Sequence, residues 1–279
     1  MRALFRLFAA LPLGVLHRLG SVLGWTIYGM SPTYRRHVRE NLGAARYSDD
    51  RVRRGAIAAA GQMIAELPAL WVRPHREVTA LVRETPGAED AYAEQRAGKA
   101  ILFLTPHMGA FEVAAQYAAS RMPITVLYRR PKVAWLDPLM REGRGRSNVR
   151  LVSADFGGVR EILAAAKRGE AIGLLPDQVP GVGEGEWSDF FGRPAYTMTL
   201  AAKLAERDNV ACYLAFAKRL PRGEGYSITV RKLPEARAGE SATRRMNRAL
   251  EELIAECPEQ YLWGYNRYKI PAGAEAPPK

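Results

Sequence analysis

The chain has 279 residues, of which 48% are hydrophobic and 25% charged, and its formal net charge is +12. It is too apolar for a disordered protein, and its two cysteines are too few for a disulfide-stabilised scaffold, so a reducing compartment is favoured. The length predicts one large domain, with or without an extension. Of the 41 basic residues, 33 are arginine, which indicates either an anionic surface or substrate or the base composition of the genome.

The first 30 residues contain two uncharged, largely apolar runs, over 7–16 and 19–30, separated by His17 and Arg18. Neither run reaches the roughly 18 apolar residues of a membrane-spanning helix, and a single span would carry Arg18 near its centre. The segment therefore predicts an interfacial or tilted membrane anchor, followed by arginines suited to an anionic cytoplasmic leaflet. A cleaved signal peptide and a plain buried pair of helices are the alternatives.

Helix and strand patterns alternate through the rest of the chain. Helices are predicted over 51–71, 110–121 and 159–168, with a late amphipathic helix around 246–254. Strands are predicted over 100–105, 124–128, 149–152, 172–175, 210–216 and 226–230. Short buried runs alternating with helices indicate an α/β fold with a largely parallel central sheet flanked by helices.

Three parts of the chain follow from these patterns. Residues 1–45 are predicted to form the membrane anchor and its basic segment, and residues 46–270 the chemistry-bearing domain. Residues 271–279 are rich in Pro and Ala and are predicted to be a disordered tail.

The first candidate site lies directly after the strand over 100–105. His107 stands at the mouth of this strand, and Glu112 falls in the first turn of the following helix. Ligands of α/β proteins gather beyond the carboxyl ends of strands, and a carboxylate on one ring nitrogen fixes the tautomer of a general base. The pattern predicts that Glu112 holds the ring of His107. A capping histidine beside an ordinary first-turn glutamate is the alternative.

A second candidate, Asp177, follows the strand over 172–175, where a turn or cap residue is the alternative. Three glycines come next, between residues 179 and 187, but nearby Glu184 and Glu186 would repel phosphate. A mobile loop beside the site is therefore predicted in place of a phosphate-binding loop.

The third feature is basic. Arg129 follows the strand over 124–128, and Arg144 and Arg146 come soon after. Clustered arginines beyond strand ends suit phosphate, carboxylate or a developing oxyanion, while a solvated basic face is the alternative. Nucleic-acid binding is not predicted, because no aromatic residues interleave with arginine on a strand face.

Other catalytic motifs are missing from the sequence. It has no G-x-S-x-G elbow, no Walker loop and no zinc-ligand spacing. The chemistry expected is therefore direct transfer with a histidine base, without a covalent enzyme intermediate.

The segment from His107 to Glu112, HMGAFE, resembles the H-x4-D/E motif of the glycerolipid acyltransferase superfamily. Together with further segments, it resembles one family of that superfamily, the bacterial lipid A biosynthesis acyltransferases of the lauroyl/myristoyl type. The resemblance covers roughly residues 1–270. The other matching segments occur in the same order as in that family. They are 35–42 (RRHVRENL), 128–129 (YR), 143–148 (GRGRSN), 167–170 (KRGE), 176–178 (PDQ), 190–192 (FFG) and 258–263 (PEQYLW), with Arg267 and Lys269.

The resemblance implies an inner-membrane enzyme that faces the cytoplasm and needs no metal or bound cofactor. The implied donor is an acyl chain on acyl carrier protein, or occasionally coenzyme A, and the acceptor is a hydroxyl of a lipid A precursor. His107 would be the base, and Arg144 or Arg146 would stabilise the oxyanion or hold phosphate. Asp177 would shape the acceptor side. His107→Ala is expected to abolish transfer and to leave the fold intact.

The sequence departs from the family pattern near its end. Many relatives have a histidine two positions after the final tryptophan, where this chain has Tyr265 after Trp263. Other acceptors with the same chemistry, such as phosphatidylinositol mannosides or ornithine lipids, therefore stay open. A non-catalytic membrane-associated scaffold is the alternative from another class.

Overall fold

The computed structural model describes residues 2–85, 87–131 and 133–277. Seven strands form a central sheet, in the order β1-β9-β8-β2-β5-β3-β4, and two more form a separate antiparallel hairpin. The strands are β1 (Val82–Glu84), β2 (Ala100–Leu104), β3 (Ile124–Tyr128), β4 (Val149–Ser153), β5 (Ala171–Leu174), β6 (Gly185–Phe190), β7 (Arg193–Met198), β8 (Val210–Arg219) and β9 (Tyr226–Lys232).

The sheet is largely parallel, as the sequence predicts. Strands β8, β2, β5, β3 and β4 run in one direction. Strand β9 is antiparallel to β8, and the short β1 pairs parallel with β9. Both faces of β2 and β5 are buried, which explains their continuous apolar runs.

Helices cover both faces of the sheet, with two clusters of buried apolar side chains on its opposite sides. The predicted α/β class is confirmed. The helices are α1 (Arg2–Ala9), α2 (Leu13–Met30), α3 (Pro32–Ala44), α4 (Asp50–Val72), α5 (His75–Thr79), α6 (Gly87–Arg96), α7 (Phe111–Ala119), α8 (Leu136–Arg144), α9 (Phe156–Lys167), α10 (Thr199–Ala205) and α11 (Ala242–Ala255).

Helix α2 packs closely against α4 through glycines. A Cβ atom built on Gly20 would lie 2.5 Å from the Cα atom of Gln62, and one built on Gly24 would lie 2.1 Å from the carbonyl oxygen of Ile57. A Cβ atom built on Gly61 of α4 would lie 1.9 Å from the carbonyl oxygen of Gly20. Small residues thus let the two backbones touch, so one face of α2 is part of the protein interior.

The opposite face of α2 is exposed and largely apolar, with Arg18 and Thr26 as its polar members. Val22 is 66% exposed and Met30 80%, with Leu19, Leu23 and Trp25 also exposed. By length and composition α4 could cross a membrane, although half of its most apolar window is buried. Helices α1 and α2 pass the same test only together, and they are bent by 119°. The bend argues against one straight span and favours a helix lying at an interface.

One region differs from the sequence predictions. The glycine-rich stretch predicted as a loop already enters β6 at Gly185, and β6 pairs with β7. In the tail, residues 271–277 form no helix or strand, yet the Trp187 Nε1 atom donates a hydrogen bond to the carbonyl oxygen of Glu275. Residues 278 and 279 lie outside the described part of the chain.

Candidate active site

The carboxyl ends of β2 and β5 bring two candidate residues together. These strands are parallel neighbours, and their last residues, Leu104 and Leu174, are paired in register. His107 and Asp177 each follow these strand ends within a few residues. Matched parallel strands deliver their following loops to the same edge of the sheet, which is where α/β proteins bind ligands.

His107 and Asp177 form a double contact. The His107 Nδ1 atom lies 2.7 Å from the Oδ1 atom of Asp177, and the His107 backbone N–H donates to Oδ2 at 2.9 Å. Asp177 is 2% exposed. Burial alone would raise the pKa of this carboxyl, but the charge of His107, the two hydrogen bonds and the nearby Arg267 together hold it below its ordinary value. Asp177 is therefore ionised at neutral pH.

This contact determines the tautomer of the neutral ring. An ionised carboxylate only accepts hydrogen bonds, so Nδ1 of His107 carries the hydrogen and Nε2 keeps its lone pair. The side-chain amide of Gln178 lies 3.1 Å from Nε2, with its nitrogen placed as the donor. The ring of Phe111 packs edge-on against the imidazole, with 5.0 Å between centroids. His107 is thus held from three sides with Nε2 as the basic atom.

A cavity of about 260 Å³ adjoins His107. It lies among the ends of β2, β5, β3 and β4 and helices α7 and α8, and its wall is mostly apolar. Polar groups are concentrated at His107, Gln178, Arg129 and the pair of Glu112 and Arg144. An apolar cavity with a few convergent polar groups is the usual form of a small-ligand or lipid site.

The prediction that Glu112 holds the ring of His107 is wrong. Both Oε atoms of Glu112 accept from Nε of Arg144, at 2.9 and 2.8 Å, and Nη2 of Arg144 adds a further hydrogen bond. Trp71 Nε1 donates to Oε2 at 3.2 Å. The carboxylate is therefore occupied within the cavity wall, and Asp177 takes the role expected of Glu112. Asp177 itself is buried behind the imidazole and does not line the cavity, and its predicted role on the acceptor side stays a prediction.

Arg144 and Arg146 have different surroundings. Arg144 lines the cavity, but its donors face Glu112 and, through Nη1, the sulfur atom of Met140 at 3.1 Å. The ion pair with Glu112 raises the pKa of Arg144 despite its burial, which alone would lower it. These contacts thus hold its guanidinium in the cavity wall.

Arg146 does not line the cavity, contrary to the role predicted for it. Its two Nη atoms donate to the carbonyl oxygens of Leu70 and Arg73 and to Gln116 Oε1, the last at 2.6 Å. These carbonyls belong to the C-terminal end of α4, where helices leave acceptors without partners. Arg146 therefore caps α4 and cannot reach an oxyanion beside His107.

Arg129 is exposed at the rim of the cavity, directly after β3. Its predicted contact with an anionic substrate stays a prediction. Sequence reasoning did not single out Gln178 or Phe111, although both stand beside a candidate residue in the chain. Trp71, which contacts Glu112, gave no signal because α4 is remote in sequence.

A buried polar network supports the turn that carries His107. Arg219 donates from Nη2 to the carbonyl oxygen of Gly109 at 2.7 Å and to Glu66 Oε1 at 2.6 Å. Glu66 of α4 also lies 3.1 Å from Nε2 of His17 on α2 and accepts from Tyr226 at 3.1 Å. All four side chains are buried. Helix α2 is thereby connected through hydrogen bonds to the turn that carries His107.

The backbone donors of this turn are already used. The N–H groups of Met108, Gly109 and Ala110 donate to the carbonyls of Pro106, Gln260 and Ala217, respectively. Beside Nε2, the side chain of Gln178 thus remains as a donor able to turn toward a substrate oxygen. Within the described residues, no group of three or more His, Cys, Asp or Glu side chains is placed to hold a metal ion.

Comparison with known proteins decides the class. The family described as "Bacterial lipid A biosynthesis acyltransferase" matches residues 1–270. The chain belongs to this family. It is an acyltransferase, and the family resemblance of its motifs is confirmed.

Three relatives of this lipid A acyltransferase family member come from Escherichia coli strain K12. The lipid A biosynthesis lauroyltransferase is 26% identical over 94% of this chain and 88% of its own length. The myristoyltransferase is 25% identical over 89% and 78%, and the palmitoleoyltransferase 24% over 75% and 68%. Their names state three different acyl chains on the same lipid.

Proposed function

We propose that this acyltransferase moves an acyl chain from a thioester of acyl carrier protein, or of coenzyme A, to a hydroxyl of a lipid A precursor. The observation that carries the proposal is the buried Asp177 behind His107, with the imidazole at the wall of an apolar cavity. This arrangement supplies a base of fixed tautomer beside space for an alkyl chain.

The reaction needs one proton relay. Nε2 of His107 accepts the proton of the acceptor hydroxyl as its oxygen attacks the thioester carbonyl. The carbon–sulfur bond then breaks, and the imidazolium returns the proton to the leaving thiolate. Asp177 stabilises the transient positive ring through the 2.7 Å contact at Nδ1. General-base catalysis of this kind contributes about 10²–10⁴-fold.

Gln178 is proposed as the donor to the developing oxyanion. Its amide nitrogen lies 3.1 Å from the basic nitrogen of His107. When a hydroxyl takes that place, the N–H group is free to turn to the thioester carbonyl oxygen. Loss of one such donor costs about 10²–10³-fold in rate. Exposed Arg129 at the rim is proposed to attract the anionic groups of donor or acceptor.

The membrane part of the proposal concerns residues 1–45. The exposed apolar face of α2 would lie in the cytoplasmic leaflet of the inner membrane, and Arg35, Arg36 and Arg39 on α3 would meet anionic headgroups. An exposed apolar face is unfavourable in water and is stabilised at a membrane interface. A lipid acceptor could then reach the cavity without leaving the bilayer. Residues 46–270 would carry the chemistry.

The function is tested by reconstitution with defined substrates. The purified chain is given myristoyl–acyl carrier protein and, in separate reactions, a lipid A precursor, a phosphatidylinositol mannoside and an ornithine lipid. Mass spectrometry then detects the mass of one added chain. Addition to the lipid A precursor alone supports the proposal. Addition only to another lipid would reassign the acceptor. If no lipid gains a chain, and coenzyme A thioesters are inactive as well, the result would favour a non-catalytic membrane-associated scaffold.

A further inference from the structure

A second, smaller cavity lies behind the wall of the first. Its volume is about 30 Å³, and apart from Tyr92 and Thr105 its lining is apolar. It lies between helix α7 and the sheet. Residues Phe111, Ala115, Val126, Leu174 and Leu175 line both cavities. The two spaces are therefore neighbours that share one wall.

An apolar space of this kind in a protein core suits an apolar occupant. Interiors are packed like organic crystals, and each unfilled volume forfeits dispersion contacts and costs stability. Too few polar groups surround this space to hold a network of ordered waters. An alkyl chain that continues from the first cavity would fill it.

Gly173 of β5 also lines the small cavity, beside two side chains of β3. It lies in β5 with ordinary extended backbone, so its conformation does not require glycine. Glycine weakens a strand interior and often marks close approach of a ligand. A Cβ atom at this position would lie 3.2 Å from Cγ2 of Val126 and 3.4 Å from Cδ1 of Ile124, inside the lining of the small cavity. A side chain at 173 would press on Val126 and Ile124, which line the small cavity, and so would reduce its volume.

We propose that the small cavity is the closed end of the acyl-chain site, and that Phe111 and Gly173 set the chain length the enzyme accepts. The inference rests on the proposed acyl transfer and adds its chain selectivity. Phe111 stands between His107 and the closed end, because its ring contacts the imidazole and lines both cavities. A smaller side chain at 111 lengthens the site. A larger one at 173 shortens it.

The test measures chain selectivity as the ratio of kcat/KM values for two acyl donors. A substitution that lowers both values equally leaves this ratio unchanged. The kcat/KM values for lauroyl-, myristoyl- and palmitoyl–acyl carrier protein are compared in wild type, Phe111→Leu and Gly173→Ala. We expect Phe111→Leu to raise the longer-to-shorter ratio at least about tenfold, and Gly173→Ala to lower it similarly, as one methylene in a tight pocket is worth about 10–200-fold. Phe216→Leu is the control, because Phe216 is also a phenylalanine of the protein interior but lines neither cavity.

Two further arms keep the test decisive. If Gly173→Ala does not fold, Ala118→Val fills the same cavity from α7 and is expected to shift the ratio in the same direction. If wild type transfers no chain to a lipid A precursor, equilibrium binding of lauroyl-, myristoyl- and palmitoyl-pantetheine is measured on the same variants. Opposite shifts in the preferred chain length between the Phe111 and Gly173 variants would still support the closed end, although the proposed acyl transfer would then have failed. An unchanged preference in the opening and filling variants, or an equal shift in Phe216→Leu, overturns the inference.

Discussion

The Nδ1 atom of His107 lies 2.7 Å from Oδ1 of Asp177, a residue 70 positions away in the chain. The two side chains meet because β2 and β5 are neighbours whose ends lie in register. Glu112, which is much nearer in sequence, is held by Arg144 instead. The imidazole partner is therefore set by the order of strands, and two carboxylates beside one cavity have separate roles.

Asp177→Asn is expected to lower kcat by about 10²–10⁴-fold with KM little changed, because an amide can present its N–H group to Nδ1 and favour the wrong tautomer. Glu112→Gln is the matched control, since it removes a second buried carboxylate, one that lines the cavity but does not contact His107. Its kcat is expected to fall less. Steady-state kinetics on both variants check the order, and a larger kcat loss in Glu112→Gln would return the ring-holding role to Glu112.

The ion pair of Glu112 and Arg144 is expected to stabilise the wall as a unit. Removing one partner from a buried pair leaves an uncompensated charge, which costs about 3–5 kcal/mol. Arg144→Met should therefore reduce the free energy of unfolding, and adding Glu112→Gln to it should recover part of the loss. Denaturant unfolding of both single variants and the double variant measures the coupling. Additive losses would show that the two groups act independently.

Acid is expected to weaken the fold through Asp177. Its pKa lies below the ordinary value of 3.8 in the folded chain, so its ionised contacts contribute fully above that pH. They are lost as the pH falls through the folded-state pKa. The difference in unfolding free energy between wild type and Asp177→Asn should thus shrink as the pH falls below 3.8. Denaturant titrations across this range test the sign, which a difference that grows in acid would contradict.

Membrane association is expected to depend on the outer face of α2. Val22→Asp places a charge where the side chain is 66% exposed and should release the protein from anionic vesicles in a flotation assay. Phe156→Asp is a control on α9, since Phe156 is 82% exposed and lies outside the proposed anchor. Binding that survives Val22→Asp but not Phe156→Asp would place the membrane contact elsewhere.

Most strands of the central sheet can be predicted from the sequence, because buried parallel strands are short, continuous apolar runs. All six predicted strands are present, and Pro106 and Pro176 follow the ends of two of them. Strand β1 was missed because it has only three residues. Strands β6 and β7 were missed because Glu184 and Glu186 beside glycines suggested a solvated loop.

The candidate site was only partly readable. His107 and Asp177 were identified because each follows a strand, but a sequence does not state which strands are neighbours. Local spacing therefore favoured Glu112 as the partner of the ring. Arg146 was misassigned for the same reason, because its acceptors lie at the end of α4, more than 70 residues earlier in the chain. Long-range pairing is the information that spacing alone lacks.

The most direct test of the account is the transfer rate of purified His107→Ala with an acyl thioester and a lipid A precursor. The imidazole is the only proton acceptor assigned to the reaction, so the rate should fall by at least about 10²-fold while far-ultraviolet circular dichroism stays like that of wild type. Transfer by His107→Ala at a rate near that of wild type would contradict the account.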